Sequence, residues 1–174
     1  MEYFLASDRL GFRAWREEDL PLAIELWTDA QVARLLSGGP YTPERVRARL
    51  EREMTTQREF EMQYWPVFLL GSGRHVGVCG LRPWLVEERI PELGYHLRPE
   101  FWGQGLAVEA GRAAIEFGFG RLGAKAIFAG HHPENAASRK VLLKLGFRYT
   151  GDEVFPETGI LEPTYRLESG SLQD

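Results

Sequence analysis

One stretch limits what this chain can fold into more than any other: Glu92-Leu93-Gly94-Tyr95-His96-Leu97-Arg98-Pro99-Glu100-Phe101-Trp102-Gly103-Gln104-Gly105-Leu106-Ala107. Ile90 to Leu97 reads as a strand, Pro99 and two glycines as a tight turn, and Leu106 to about Leu122 as an amphipathic helix. A strand that turns through glycines into a helix N-terminus makes an anion site. The first-turn amides have no intrahelical partner, and the helix dipole favours negative charge there. A side chain at Gly103 or Gly105 would hold a phosphate away from the backbone. The stretch points to a pyrophosphate-bearing cofactor, and it is also what a plain tight connection would use.

Common nucleotide motifs fail on residues. A Rossmann turn wants a third glycine where Val108 stands, and an acidic residue ending the next strand, where Gly130-His131-His132 stands. A Walker A loop wants Lys-Ser or Lys-Thr after its last glycine, where Leu106-Ala107 stands.

Further segments, in order, narrow the choice. They are Asp8-Arg9-Leu10-Gly11-Phe12-Arg13-Ala14-Trp15 with Glu18-Asp19-Leu20, Glu92 to Leu97, Phe101 to Ala107, Asn135-Ala136-Ala137-Ser138, and Lys144-Leu145-Gly146-Phe147. Together they resemble the GNAT N-acetyltransferases of the RimJ/RimL type, the ribosomal-protein-alanine N-acetyltransferases, over nearly the whole chain. The resemblance implies an α/β fold with a mixed, mostly antiparallel central sheet. Two parallel strands splay apart in it, and helices flank it. It implies acetyl-CoA as acetyl donor, with its pyrophosphate in the glycine turn and its pantetheine arm along the preceding strand. The cofactor-binding residues so implied are His96, Leu97, Arg98, Gly103, Gln104, Gly105, Leu106, Ala107, Asn135, Ser138 and Lys140.

Composition sets the remaining bounds. The 174 residues suit one domain, 1–174, and 44% hydrophobic with 26% charged residues is ordinary for a soluble globular chain. A net charge of -4 without a basic block argues against nucleic acid as the main ligand. The single cysteine, Cys79, rules out an intrachain disulfide and fits a reducing compartment. The acidic N-terminus is no signal peptide, and no apolar run is long enough to span a membrane. A cytoplasmic protein without membrane partners is expected, and a homodimer is left open.

The rest of the chain reads as alternating elements. Leu10, Phe12 and Ala14 mark a first strand, Leu20 to Trp27 a helix, and Asp29 to Leu36 a short helix broken by Ser37-Gly38-Gly39-Pro40. Thr42-Pro43-Glu44 starts a helix to about Gln57, with a thin apolar stripe of Val46, Leu50 and Met54. A solvated outer helix is expected there, ahead of a wall of the substrate site. Tyr64–Leu70, His75–Leu81 and Ile90–Leu97 make an antiparallel meander, with Gly77 and Gly80 marking a bulge or close approach. Lys125 to Ala129 should lie parallel to Ile90–Leu97. Asn135 caps a helix, and strands Phe147–Phe155 and Leu161–Leu167 follow, joined around Pro156-Glu157-Thr158-Gly159.

Acetyl transfer to an amine needs a base to free the amine, donors for the oxyanion, and a proton for the leaving thiolate. The resemblance implies Glu92 as base, directly or through water, and Ser138 as acid. Glu92 could equally be a polar residue on an open strand face, and Ser138 a first-turn or pantetheine-binding serine. Tyr149 and Tyr165 are alternative donors. Asn135 can both cap its helix and meet pantetheine. Lys140, then Arg98, could meet phosphates, and His96 could face the substrate. His131, His132 and Glu134 lack metal-ligand spacing, so no metal is expected. Cys79 in an apolar strand reads as inert, which favours direct transfer over an acyl-enzyme. Three readings remain: acetyl transfer to a primary amine such as a peptide N-terminus, a non-catalytic acyl-CoA-binding module, and a nucleotide-binding regulator.

Overall fold

The strand, glycine turn and helix singled out above lie at the centre of an eight-stranded sheet. The computed structural model describes residues 2–36, 41–155 and 159–170. These form β1 (Leu5–Ala6), β2 (Leu10–Phe12), α1 (Leu20–Trp27), α2 (Ala30–Ala33), α3 (Pro43–Phe60), β3 (Tyr64–Leu69), β4 (His75–Leu85), β5 (Ile90–Leu97), α4 (Leu106–Gly120), β6 (Ala126–Gly130), α5 (Ala136–Lys144), β7 (Arg148–Val154) and β8 (Leu161–Glu168). The breaker Ser37–Pro40 and the loop residues Pro156–Thr158 lie outside the described residues.

The strand order is β1-β2-β3-β4-β5-β6-β8-β7. Neighbours are antiparallel except β5 and β6, which run parallel. Among the described residues this central pair registers at a single point, Glu92 opposite Phe128. Beyond it the two strands part, as expected of a splayed pair. The glycines of β4 do what was expected of them. Gly77 has φ +141°, and a Cβ there would stand 2.2 Å from the His96 carbonyl oxygen. The register of β3 against β4 slips beside it, between Val67 and Phe68.

α4 covers one face of the sheet. Its inner face is made of small residues, Ala110, Ala113, Ala114 and Gly118, so the helix axis comes close to the strands. A Cβ on Gly118 would lie 2.8 Å from the Leu81 side chain. Leu106 and Ile115 complete a core with Trp65, Leu81, Leu93 and Ile127. Gly123, at φ +63°, follows the helix end.

The other face carries α1, α2 and α3 over a second core of Trp15, Trp27, Val46, Leu50, Tyr64 and Val78. Arg13 and Trp15, which alternate with Leu10, Phe12 and Ala14, are both buried. Arg13 turns inward because Asp19 takes its guanidinium through two bonds of 2.6 and 2.7 Å. Burial alone would raise the Asp19 carboxyl, but Arg13 and the Arg16 amide hold it below its usual value. α3 is not a solvated outer helix. It buries Val46, Arg49, Leu50 and Glu53 and reaches Phe60. Two of its charges were counted as solvent-facing because the sequence does not reveal their partners.

His75, on β4, is buried between Trp15 and Phe68. Among the described residues neither ring nitrogen meets a partner at hydrogen-bond geometry. Burial first, then the Arg98 charge, lowers its pKa from 6.5 to about 4, against smaller opposing effects of the Gly77 backbone, which approaches the ring short of good hydrogen-bond geometry, and of Asp19 and Glu25. A histidine with a depressed folded pKa stabilises the fold above its unfolded value. That contribution is lost as pH falls from about 6.5 through about 4. His96, also held below its usual value by burial, adds to the loss of stability as pH falls. We predict that urea midpoints fall over this range and that His75→Phe removes a large part of the slope, of order 3 kcal/mol. An unchanged slope in a folded variant would refute the assignment.

Candidate active site

Beyond the Glu92–Phe128 pairing, the parting of β5 from β6 opens a cavity through the sheet. Alternation along β5 divides its lining. Glu92, Gly94 and His96 face α1–α3, while Leu93, Tyr95 and Leu97 face α4 and α5. The β6 side of the mouth is Gly130, His131 and His132, and α5 brings Asn135, Ser138 and Leu142.

Four of the residues singled out from sequence meet here: Glu92, His96, Asn135 and Ser138. Asn135 caps α5, its Oδ1 accepting the Ser138 N–H at 3.0 Å. The His96 Nδ1 accepts the Trp27 indole N–H at 3.2 Å, so the ring proton sits on Nε2. Burial, followed by the Arg49 and Arg82 charges, holds His96 well below its usual pKa, and it stays neutral.

The other residues singled out lie elsewhere. Leu97, Arg98 and the turn from Gly103 to Ala107 continue past the cavity mouth to the N-terminus of α4. Gly103 (φ +72°) and Gly105 (φ +77°) both need the left-handed region that glycine enters without strain. The Arg98 side chain is engaged by Glu25 and Glu100, and its backbone by the Val76 carbonyl and the Phe101 N–H. Lys140 is exposed on α5, away from the cavity lining. Tyr149 is 56% exposed and bonded to Asp152, and Tyr165 pairs with His131, so neither lines the cavity. Cys79 is fully buried, and burial pushes its thiol pKa up. Among the described residues no three His, Cys, Asp or Glu side chains form a metal-sized cluster.

Sequence reasoning missed three contributors. Arg9 braces the glycine turn: Nη1 donates to the Gln104 carbonyl at 3.2 Å, and Nε to Glu109 at 2.6 Å. Tyr95 brings a hydroxyl beside Ser138, donating to its carbonyl at 3.2 Å. No spacing rule connects positions 95 and 138; only the sheet-to-α5 packing does. Third is a charge cluster on the α3 side. Glu53, 2% exposed, accepts the Tyr64 N–H at 2.9 Å, pairs with Arg82, and lies 3.7 Å from the Arg49 Nε. Arg82 covers the Tyr64 ring at 3.9 Å and stands opposite Glu92 across the β4–β5 ladder. Arg82, Tyr64, Tyr41 and Arg49 all line the cavity with Glu92.

The sequence and the fold are matched by known proteins. Residues 9–148 match the model of the acetyltransferase (GNAT) domain family. The chain belongs to the GNAT acetyltransferases. An uncharacterised N-acetyltransferase, p20, of Bacillus licheniformis is 28% identical over 148 residues, covering 84% of this chain and 83% of that protein. A GNAT-family acetyltransferase structure from Bacillus anthracis superposes with TM-score 0.82 at 25% identity, covering 95% and 98% of the two chains. The ribosomal L7/L12 α-N-protein acetyltransferase RimL, in complex with coenzyme A, shares the fold: TM-score 0.82 at 18% identity, over 96% and 98%. GNAT acetyltransferases take their acetyl group from acetyl-CoA, so this GNAT chain is an acetyltransferase with a mixed, mostly antiparallel sheet.

The geometry makes Glu53 the tie between α3 and the sheet. Glu53→Ala would leave Arg82 and Arg49 without their shared carboxylate. We predict a loss of about 3 kcal/mol in urea unfolding, with Glu53→Gln losing less because it can still accept the Tyr64 amide. Equal stability of Glu53→Ala and wild type would show that α3 docks through its apolar stripe alone.

Proposed function

We propose that the protein, as a single domain of residues 1–174, transfers the acetyl group of acetyl-CoA to a primary amine by direct attack in a ternary complex. One observation carries this reading: the gap between β5 and β6 has a carboxylate at its closed end, and β5 leads directly into the glycine turn of α4. The open β5 edge has backbone groups for the pantetheine amides, and the first-turn amides of α4 for the pyrophosphate. His96, Leu97 and Arg98 would meet the arm, Gly103, Gln104, Gly105, Leu106 and Ala107 the phosphates, and Asn135, Ser138 and Lys140 the far side. The single cysteine fits a reducing, cytoplasmic setting.

The two faces of the gap divide the labour. The thioester enters from the α4–α5 face, the amine from the α1–α3 face. Glu92 accepts the ammonium proton, directly or through a water, which frees the nitrogen lone pair for attack. A backbone N–H on the open β5 edge stabilises the oxyanion as it forms. Collapse of the tetrahedral intermediate breaks the C–S bond and expels the CoA thiolate, which takes a proton from Ser138, while the proton shed by the attacking nitrogen restores the Ser138 hydroxyl. Buried Cys79 offers no acyl carrier, which supports one direct step rather than two. The RimL likeness supports a peptide α-amino group as one acceptor class beside small amines.

The test is free-thiol release from acetyl-CoA across peptides with free N-termini, amino acids, polyamines and aminoglycosides. Release dependent on one amine class is the expected result; acetyl-CoA binding without release on any class would favour a non-catalytic module. Glu92→Gln should lower kcat about 10²–10⁴-fold while leaving the acetyl-CoA Kd within about twofold. Parallel losses in both would count against the base role.

A further inference from the structure

The acceptor side of the cavity carries a charge that is poorly matched. Arg49 is 4% exposed, and its guanidinium is clasped between the Trp27 ring at 4.2 Å and the Tyr41 ring at 5.3 Å. Its Nη1 donates to the Tyr41 hydroxyl at 3.1 Å, a neutral partner. Its Nε is buried without a hydrogen bond among the described residues. The Glu53 carboxylate, 3.7 Å away, is bonded to Arg82 and to the Tyr64 amide. Arg82 therefore has Glu53 beside it and Glu92 across the ladder, while Arg49 has only a share of Glu53. The two guanidiniums differ accordingly. Burial and the Arg82 charge lower the pKa of Arg49, whereas in Arg82 the Glu53 and Glu92 charges more than offset burial.

We propose that Arg49 binds a carboxylate of the acceptor, so the amine acetylated at this site belongs to a carboxylate-bearing compound. The inference rests on the acetyltransferase reading of the same cavity. A guanidinium that lines the cavity and is held against the Trp27 ring and the Tyr41 hydroxyl meets a carboxylate at little further entropic cost. The lining also carries both signs of charge. Arg49 and Arg82 come from α3 and β4, and the carboxylates Glu92 and Glu162 from β5 and β8. An acceptor with an ammonium and a carboxylate matches both signs at once. The carboxylate is either the α-carboxylate of a free amino acid or the side chain of an acidic residue at a peptide N-terminus.

The test compares kcat/KM by thiol release within matched pairs. One arm sets glycine and alanine against glycinamide and alaninamide. The other sets C-terminally amidated peptides beginning with Asp or Glu against those beginning with Asn or Gln. Wild type should prefer the carboxylate member of one arm by at least about 30-fold, expressed mainly in KM. The arm that responds identifies the source. Arg49→Met should bring that ratio near parity, and Arg49→Lys should restore part of it; a role in folding alone would leave the ratio unmoved. Acetate and propionate should compete with the acceptor in wild type where acetamide does not, a readout that needs no variant. Absence of preference in both arms, or a preference that survives Arg49→Met, overturns the proposal while leaving the transferase intact. Silence on every acceptor with acetyl-CoA bound overturns the transferase reading, and this proposal with it.

Discussion

Among the described residues the two halves of the sheet share one ladder position, Glu92 opposite Phe128, with the Lys125 N–H bonded to the Arg89 carbonyl at 3.0 Å just before it. One step further the strands part. Open strand edges are costly when buried and hazardous when exposed, because each unpaired amide and carbonyl seeks a partner. Here the edges are turned into the cavity instead. Two features keep the halves from closing over it. The antiparallel ladders of β4 with β5 and of β6 with β8 hold each strand from its far side, and α4 bridges the join through small residues pressed against the strands.

The α1–α3 face is held differently. It has an apolar core of its own, but its specificity of docking comes from Glu53, which touches α3's own Arg49, the Tyr64 backbone on β3 and Arg82 on β4. Such buried ion networks add little net stability against apolar alternatives; they penalise misplacement instead, since a shifted helix would strand a buried charge. The helix that walls the cavity is thus fixed by groups that belong to the cavity. His96 is tied into the same arrangement through Trp27 on α1.

Much of this architecture could be read from the residues because it follows local rules. Proline and hydroxyl at Thr42-Pro43, asparagine at position 135, and glycines at 105, 123 and 146 mark helix ends by conformational need, and the structure uses each of them so. The parallel β5–β6 pair follows from strand-helix-strand order. What stayed hidden is what tertiary packing decides. α3 reads as a polar surface helix because burial of Arg49 and Glu53 depends on residues 82 and 64, which no periodicity links to them. Tyr95 escaped notice beside Ser138 for the same reason. The Arg98 guanidinium, a plausible phosphate partner on charge alone, is taken by Glu25 from another element.

β5 also acts as a ruler. From the join at Glu92 to Leu97 it advances five residues in rigid, laddered conformation, about 17 Å at about 3.3 Å per residue, before the chain turns into α4. A linear molecule that touches both the gap and the helix terminus is measured against that length. The β4 ladder prevents the strand from stretching or slipping, and Gly77 keeps the ladder tight by its close approach to the His96 carbonyl on β5. In the proposed binding mode donors are therefore sorted by arm length before any side chain takes part, and a truncated donor could fill one end of the groove only by leaving the other empty.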